Sequence, residues 1–227
     1  GDEVVVADPT FQIYHIASMV KAAKLRIVPL KGFRYDLEAM LAAVNEKTRV
    51  VFIANPDNPT GTYVTADEME SFLQRVPGHV LVFIDEAYYE YATGEDYPET
   101  LDMLERENRN VVIARTFSKA YSLAGLRVGY GMARKEVAVA LNKVREPFNV
   151  NSLAQAAALA ALKDEAHLKR SVELVRSQKQ KFYREFSALG LDHLPSRTNF
   201  ILVDTKRDSK RVFKALLKRG VIVREMT

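Results

Sequence analysis

The sequence predicts an α/β fold: a mostly parallel sheet with helices on both faces, followed by part of a smaller α+β unit. Three observations predict it. Val/Ile-rich runs alternate with helix-period segments through most of the chain. Those runs are continuous rather than alternating, which fits strands buried on both faces, and right-handed crossovers then place helices on either side of the sheet. From Asn151 onward the character changes to long helical stretches.

The elements follow in order. "VVVAD" (4–8) reads as a strand, 13–23 as a helix, "LRIVPL" as a strand and 37–44 as a helix. The strand "RVVFIAN" (49–55) precedes a helix opened by "TADE", a capping box with Thr65 as N-cap and Glu68 three residues on. "HVLVFID" (79–85) is a strand, 101–107 a helix, and "NVVIART" (110–116) a strand. "NSLAQAAALAAL" and then 164–189 read as helices, the second closed by Gly190. A strand "NFILVDT" (199–205), a helix 209–219 closed by Gly220 and a strand "VIV" complete the chain. The expected division is a large domain over 1–160, and a linking long helix with an incomplete small domain over 161–227. The Lys/Arg-rich stretch 206–219 reads as the solvated face of a helix.

Composition narrows the function. Of 227 residues, 48% are hydrophobic and 27% charged, enough for a real core. The net charge of +4 comes from scattered basic residues and does not indicate nucleic acid. With no cysteine there are no disulfides or thiolate metal sites, and no metal is expected. No apolar run approaches the roughly 20 residues that span a bilayer, and "GDEVVVADPT" does not read as a signal peptide. A cytoplasmic protein with small-molecule partners is the expectation.

Three strand-like runs end in polar residues: "VVFIAN" before "PDNPTG", "VLVFID" before "EAYY", and "VVIART" before "FSK". In an open α/β sheet, ligands bind beyond the carboxyl ends of the strands. Asn58, Asp85, Tyr88, Thr116, Ser118 and Lys119 are therefore expected to converge on one edge, with Arg127 following. Each has a plainer reading when taken alone. Asp85 can be a helix cap, "NPDNPTG" a turn, the tyrosines core aromatics, and Lys119 and Arg127 surface charges. Taken together they suit pyridoxal phosphate, whose aldehyde needs an amine, whose ring nitrogen needs a carboxylate, and whose phosphate needs donors.

"NPDNPTG", "DEAYYEY", "RTFSKAYSLAGLRVGYG" and "PSRTNFILVD" resemble the fold-type I pyridoxal-phosphate aminotransferases, and more narrowly the histidinol-phosphate aminotransferases. The resemblance implies that Lys119 binds the cofactor aldehyde and moves the substrate α-proton, while Asp85 pairs with the ring nitrogen. Asn58 and Tyr88 would bond the phenolic oxygen, and Thr116, Ser118 and Arg127 the phosphate. Phe11, in "DPTFQIY", matches the aromatic stacked on the ring, with a core residue as its plainer reading. Arg224 matches an arginine near the substrate phosphate, Asn58 also lies on the substrate side, and the plainer reading of Arg224 is a surface charge. A "GNGSDE" segment, a downstream "LRIT" segment and an N-terminal arm belong to the family pattern outside this stretch, so the chain reads as a central segment.

The implied activity is exchange of an amino group between L-histidinol phosphate and 2-oxoglutarate or glutamate in histidine biosynthesis, by a homodimer. Alternatives are an aromatic-amino-acid aminotransferase, a decarboxylase of a phosphorylated amino acid using the same cofactor, or a non-catalytic fragment serving as a folding or interaction unit.

Overall fold

A computed structural model describes residues 1–92, 94, 96–105 and 110–226. Six strands form one sheet: β1 (Glu3–Asp8), β2 (Lys24–Pro29), β3 (Thr48–Ala54), β4 (Leu81–Asp85), β5 (Val111–Thr116) and β6 (Gly129–Ala133). Their spatial order is β2-β1-β3-β4-β5-β6. All pairs are parallel except the last, in which β6 runs antiparallel to β5. The helices between and after them are α1 (Ile13–Val20), α2 (Leu37–Ala43), α3 (Ala66–Arg75), α4 (Thr100–Glu105), α5 (Lys135–Val144), α6 (Ser152–Lys163), α7 (Glu165–Ala188) and α8 (Ser209–Leu217). Residues 106 and 107 of the helix expected over 101–107 lie outside the described residues. Among the described residues no helix is long and apolar enough to cross a membrane.

The strand pattern explains the burial. Val5 and Val6 are neighbours pointing to opposite faces, and both are fully buried, so helices cover the sheet on each side. Val51, Ile53, Val82, Ile84 and Ile113 extend the same core, each worth roughly 1.5–3 kcal/mol of transfer free energy. α3 contributes Met69, Phe72 and Leu73, spaced along one helical face. Its start is the expected capping box: Thr65 accepts from the Glu68 backbone, and Glu68 accepts from the Thr65 backbone.

Parallel register brings the strand ends to one edge. Ala54 lies opposite Asp85, and Asp85 opposite Ala114. The antiparallel β6 starts at Gly129, opposite Thr116, so the segment leading into it lies at the same edge. Neither β6 nor α5 is anticipated by the sequence reading. "VGYGMA" is interrupted by glycines, and its apolar signal is weak.

The C-terminal third departs from expectation in two places. The strand expected over 199–205 shrinks to Val203–Asp204 (β8), paired with Asp192–His193 (β7) in a separate two-stranded sheet. The reason is local competition for the backbone. Ser196 Oγ accepts from the Thr198 backbone at 3.1 Å, Thr198 Oγ1 accepts from that of Phe200 at 3.3 Å, and Lys179 Nζ donates to the Ser196 and Thr198 carbonyls, both at 2.7 Å. The expected "VIV" strand is also not formed. Val221, Ile222 and Val223 are exposed, with no strand alongside them among the described residues. The two glycine stops do appear: Gly190 and Gly220 have φ of +68° and +77°, and the residues after them, Leu191 and Val221, bond back to the Phe186 and Leu216 carbonyls.

Gly61 joins the C-terminal third to the sheet. Its φ is +74°, and its carbonyl accepts from the Arg197 backbone at 2.8 Å. A Cβ there would sit 2.4 Å from Ser196 Oγ. Gly61→Ala is expected to cost about 2–4 kcal/mol, from the left-handed backbone and the overlap together. A shift of the urea midpoint checks it; an unchanged midpoint would mean that the Ser196 segment moves away freely.

A buried ionic cluster braces the ends of β4 and β5. Glu86, fully buried, accepts from Arg115 Nε at 2.7 Å and Thr100 Oγ1 at 2.6 Å. The Arg115 guanidinium lies 3.4 Å over the Tyr89 ring. Glu90 nearby is pushed up to about 7, chiefly by burial. Between the ordinary glutamate range and about 7, the folded chain holds a proton that the unfolded chain releases, so stability falls as pH rises through that window. Glu90→Gln should remove this fall. It is expected to stabilise the fold at pH 8 relative to pH 4.5 by on the order of 1–3 kcal/mol, read from urea unfolding at the two pH values; an equal effect at both would exclude the buried carboxyl as the cause.

Candidate functional site

The loop "NPDNPTG" after β3 is a clamped platform rather than a simple turn. Asp57, fully buried, accepts from Thr10 Oγ1 at 2.8 Å and from Thr60 through both its backbone N–H (3.2 Å) and hydroxyl (2.8 Å). Thr10 Oγ1 and the Tyr35 hydroxyl are 2.6 Å apart. Asn55 bonds both backbone groups of Val64, at 2.7 and 3.2 Å. A loop with this many internal bonds holds its next side chain still, and that side chain is Asn58. Its Nδ2 donates to the Tyr88 hydroxyl at 3.2 Å.

Tyr88 follows β4 and is buried, with its ring edge-on to Phe200 at 5.4 Å. Burial raises its pKa and keeps the phenol protonated. Lys119 Nζ lies 5.1 Å from the centre of this ring. Asp85 is the last residue of β4. One carboxylate oxygen accepts from the Ala87 backbone at 3.0 Å, and the other from the Tyr14 hydroxyl at 2.6 Å. Burial raises the Asp85 pKa, while the Tyr14 bond, the Ala87 bond and the charge of Lys119 oppose the rise. The Asp85 carboxyl also caps the short turn after β4 through Ala87. The cap and the site are therefore one arrangement, since each oxygen keeps a second lone pair.

The segment after β5 supplies two hydroxyls and a guanidinium. Thr116 Oγ1 accepts from the Ser118 backbone at 3.1 Å, folding the chain so that both hydroxyls sit beside Lys119. Arg127 has φ of +55° and donates to the Ala124 carbonyl at 2.7 Å, with its side chain exposed at the same edge. Ala120 and Phe117, both buried, anchor this turn from below.

These groups line one cavity of about 420 Å³ beyond the carboxyl ends of β3, β4 and β5. Phe11, Asn58, Asp85, Tyr88, Thr116, Ser118, Lys119 and Arg127 all lie on its wall, beside the small side chains of Ala54, Ala87, Ala114 and Ala124. All eight cofactor residues expected from the sequence are thus brought together. Arg224 is not. It lies on the exposed stretch after α8, where Val221–Val223 form no strand, and is not among the lining residues. Tyr14, also on the wall, is missing from the sequence-based set. It reads there as an ordinary helix residue, and the signal that could have found it is its place three residues after Phe11, in the first turn of α1.

The cavity suits a planar, doubly anionic ligand with an electrophilic carbon. It offers an amine, a buried carboxylate, an amide–phenol pair, hydroxyls, a guanidinium and an aromatic ring at its rim. Among the described residues no group of three or more His, Asp or Glu is placed to hold a metal ion.

Comparison with known proteins agrees with this geometry. The family profile described as "Aminotransferase class I and II" matches residues 1–227. Histidinol-phosphate aminotransferase of Moorella thermoacetica is 54% identical over 224 residues, covering 99% of this chain and 58% of that protein. The enzyme of the same name from Geobacillus thermodenitrificans is 50% identical over 224 residues, covering 99% and 61%. The crystal structure of histidinol-phosphate aminotransferase from Sinorhizobium meliloti, in complex with pyridoxal-5'-phosphate, superposes with a TM-score of 0.92 at 35% identity, covering 99% of this chain and 62% of that one. The chain spans about 60% of the length of the curated relatives it matches. With its whole length matched and its polar residues gathered at the sheet edge, the chain belongs to the class I and II aminotransferases.

Proposed function

We propose that this chain carries the cofactor-binding centre of a pyridoxal-phosphate-dependent transaminase acting on L-histidinol phosphate and 2-oxoglutarate. The observation that carries the reading is the meeting of Lys119, Asp85 and the Asn58–Tyr88 pair on one cavity. The two curated relatives at 50% and 54% identity support the choice of substrate. By the same likeness, the protein works as a homodimer in the cytoplasm.

When bound, pyridoxal phosphate supplies an aldehyde that condenses with amines and a ring that draws electrons from the substrate α-carbon. The chain's own residues do the rest. Asp85 would hold a proton on the ring nitrogen through a charge-assisted hydrogen bond. Asn58 and Tyr88 would donate to the phenolic oxygen. Thr116, Ser118 and Arg127 would hold the phosphate, and Phe11 would pack against the ring. Lys119 would supply the amine that condenses with the aldehyde, releasing water, and, as a free amine once the substrate's amine has taken its place, the base that moves the α-proton.

The test is a panel of amino donors, read from the absorbance change as bound cofactor passes to its pyridoxamine form. L-histidinol phosphate should give the highest kcat/KM, with 2-oxoglutarate restoring the starting spectrum. Preference for an aromatic amino acid would reassign the substrate. Carbon dioxide release from a phosphorylated amino acid would replace transamination with decarboxylation.

A further inference from the structure

We propose that Tyr14 is a positioning residue for Asp85: its hydroxyl fixes the carboxylate against the end of β4 and keeps it free to face the cavity as an anion. The inference rests on the cofactor reading above only for its catalytic consequence, since the contact itself stands in the protein alone.

Three observations carry it. First, the contact is short and built across the fold. Tyr14 Oη donates to Asp85 Oδ2 at 2.6 Å, between residues 71 apart in sequence. Second, the ring cannot swing away. It is 3% exposed and stacks on Phe52 of β3 at 4.8 Å and 7°. Phe52 in turn meets Phe83 of β4 at 5.4 Å, and Phe11 packs edge-on against Tyr14 at 5.8 Å. The stack ties the hydroxyl to the two strands whose ends frame the cavity. Third, the bond answers a need. Asp85 is a largely buried carboxylate with no guanidinium or ammonium within ion-pair distance among the described residues. Its ionised form therefore depends chiefly on neutral donors, Tyr14 and the Ala87 backbone, with the more distant charge of Lys119 adding less.

The direction of the donation is fixed by the same burial. Desolvation, followed by the charge of Asp85, pushes the Tyr14 phenol well above its usual range, so it remains a donor at every working pH. The titratable groups facing Asp85 are Tyr14 from α1, Lys119 from the turn after β5, Tyr88 from the turn after β4, and Tyr35 ahead of α2. Of these, Tyr14 opposes protonation of Asp85 more strongly than Lys119 does. A buried tyrosine whose hydroxyl merely finds a convenient acceptor would look similar in a static structure. The two cases differ in what happens to Asp85 when the hydroxyl alone is removed.

The experiment uses Tyr14→Phe, which keeps the stacked ring. The Asp85 carboxyl is titrated by carbon-13 NMR in cofactor-free protein, its resonance assigned by its loss in Asp85→Asn. The titration midpoint should move up in Tyr14→Phe. In loaded protein, kcat should fall roughly tenfold or more with little change in KM, as expected for a lost hydrogen bond to a charged group. Tyr14→Phe should cost little further kcat in the Asp85→Asn background, because the two act as one unit. An Asp85 midpoint that does not move would overturn the proposal, whatever the activity. So would a kcat loss in the double variant equal to the product of the two single losses. If cofactor binding fails altogether, the NMR result still decides the role of Tyr14, and the failure falls on the cofactor reading.

Discussion

Asp85→Asn is expected to lower kcat by roughly a hundredfold or more, on the order of 3 kcal/mol of transition-state stabilisation, with the fold nearly intact. The asparagine fills the same volume and can still accept from the Ala87 backbone through its carbonyl, so the cap after β4 survives. What it loses is the negative charge. Burial already works against that charge, as the raised pKa of Asp85 shows, and the fold offsets the cost with Tyr14, Ala87 and the field of Lys119. A carboxylate kept ionised at such cost matters most when positive charge is held opposite it, which is the demand of a protonated ring nitrogen during α-proton removal. Steady-state kinetics of the variant, with circular dichroism to confirm folding, check the expectation. Near-normal turnover would reduce Asp85 to a helix cap.

Lys119→Ala should have a larger effect still, at least about a thousandfold in turnover, because on the proposed reading it removes both the point of covalent attachment and the base. Lys119→Arg separates charge from chemistry. Arginine keeps a cation near Asp85 and the Tyr88 ring but offers no deprotonated amine at neutral pH. Lys119→Arg is expected to be nearly as inactive as Lys119→Ala. Substantial activity in the arginine variant would mean that the residue acts through its charge, and that the amine belongs elsewhere.

Much of this was legible in the sequence. Continuous apolar runs gave β1, β3, β4 and β5 because a strand covered on both faces has little other composition available to it, whereas the edge strand β2 is largely exposed and only partly apolar. The ends of those runs gave the site: parallel strands deliver their last residues to one edge, and Asn58, Asp85, Tyr88 and Lys119 do meet there. Other features were not legible. β6 hides because glycines at 129 and 131 dilute its apolar pattern, while its antiparallel pairing needs no crossover helix as a marker. The stretch 199–205 reads as a strand from its side chains, but Thr198 Oγ1 takes the Phe200 N–H at its start, and the turn before it is held by Ser196, Thr198 and Lys179, so that only Val203–Asp204 pair. Tyr14 was missed because its role depends on Phe52 and Asp85, which come near it only in the folded chain. Arg224, expected near the substrate from a motif match, lies on an exposed stretch and does not line the cavity.

The most direct test of the central claim is where the cofactor attaches. Protein loaded with pyridoxal phosphate is reduced with borohydride, digested, and mapped by mass spectrometry. The pyridoxyl mass is expected on the peptide containing Lys119, and is expected to be lost in Lys119→Ala. A label on another lysine with Lys119 unmodified would contradict the site built here from the ends of β3, β4 and β5.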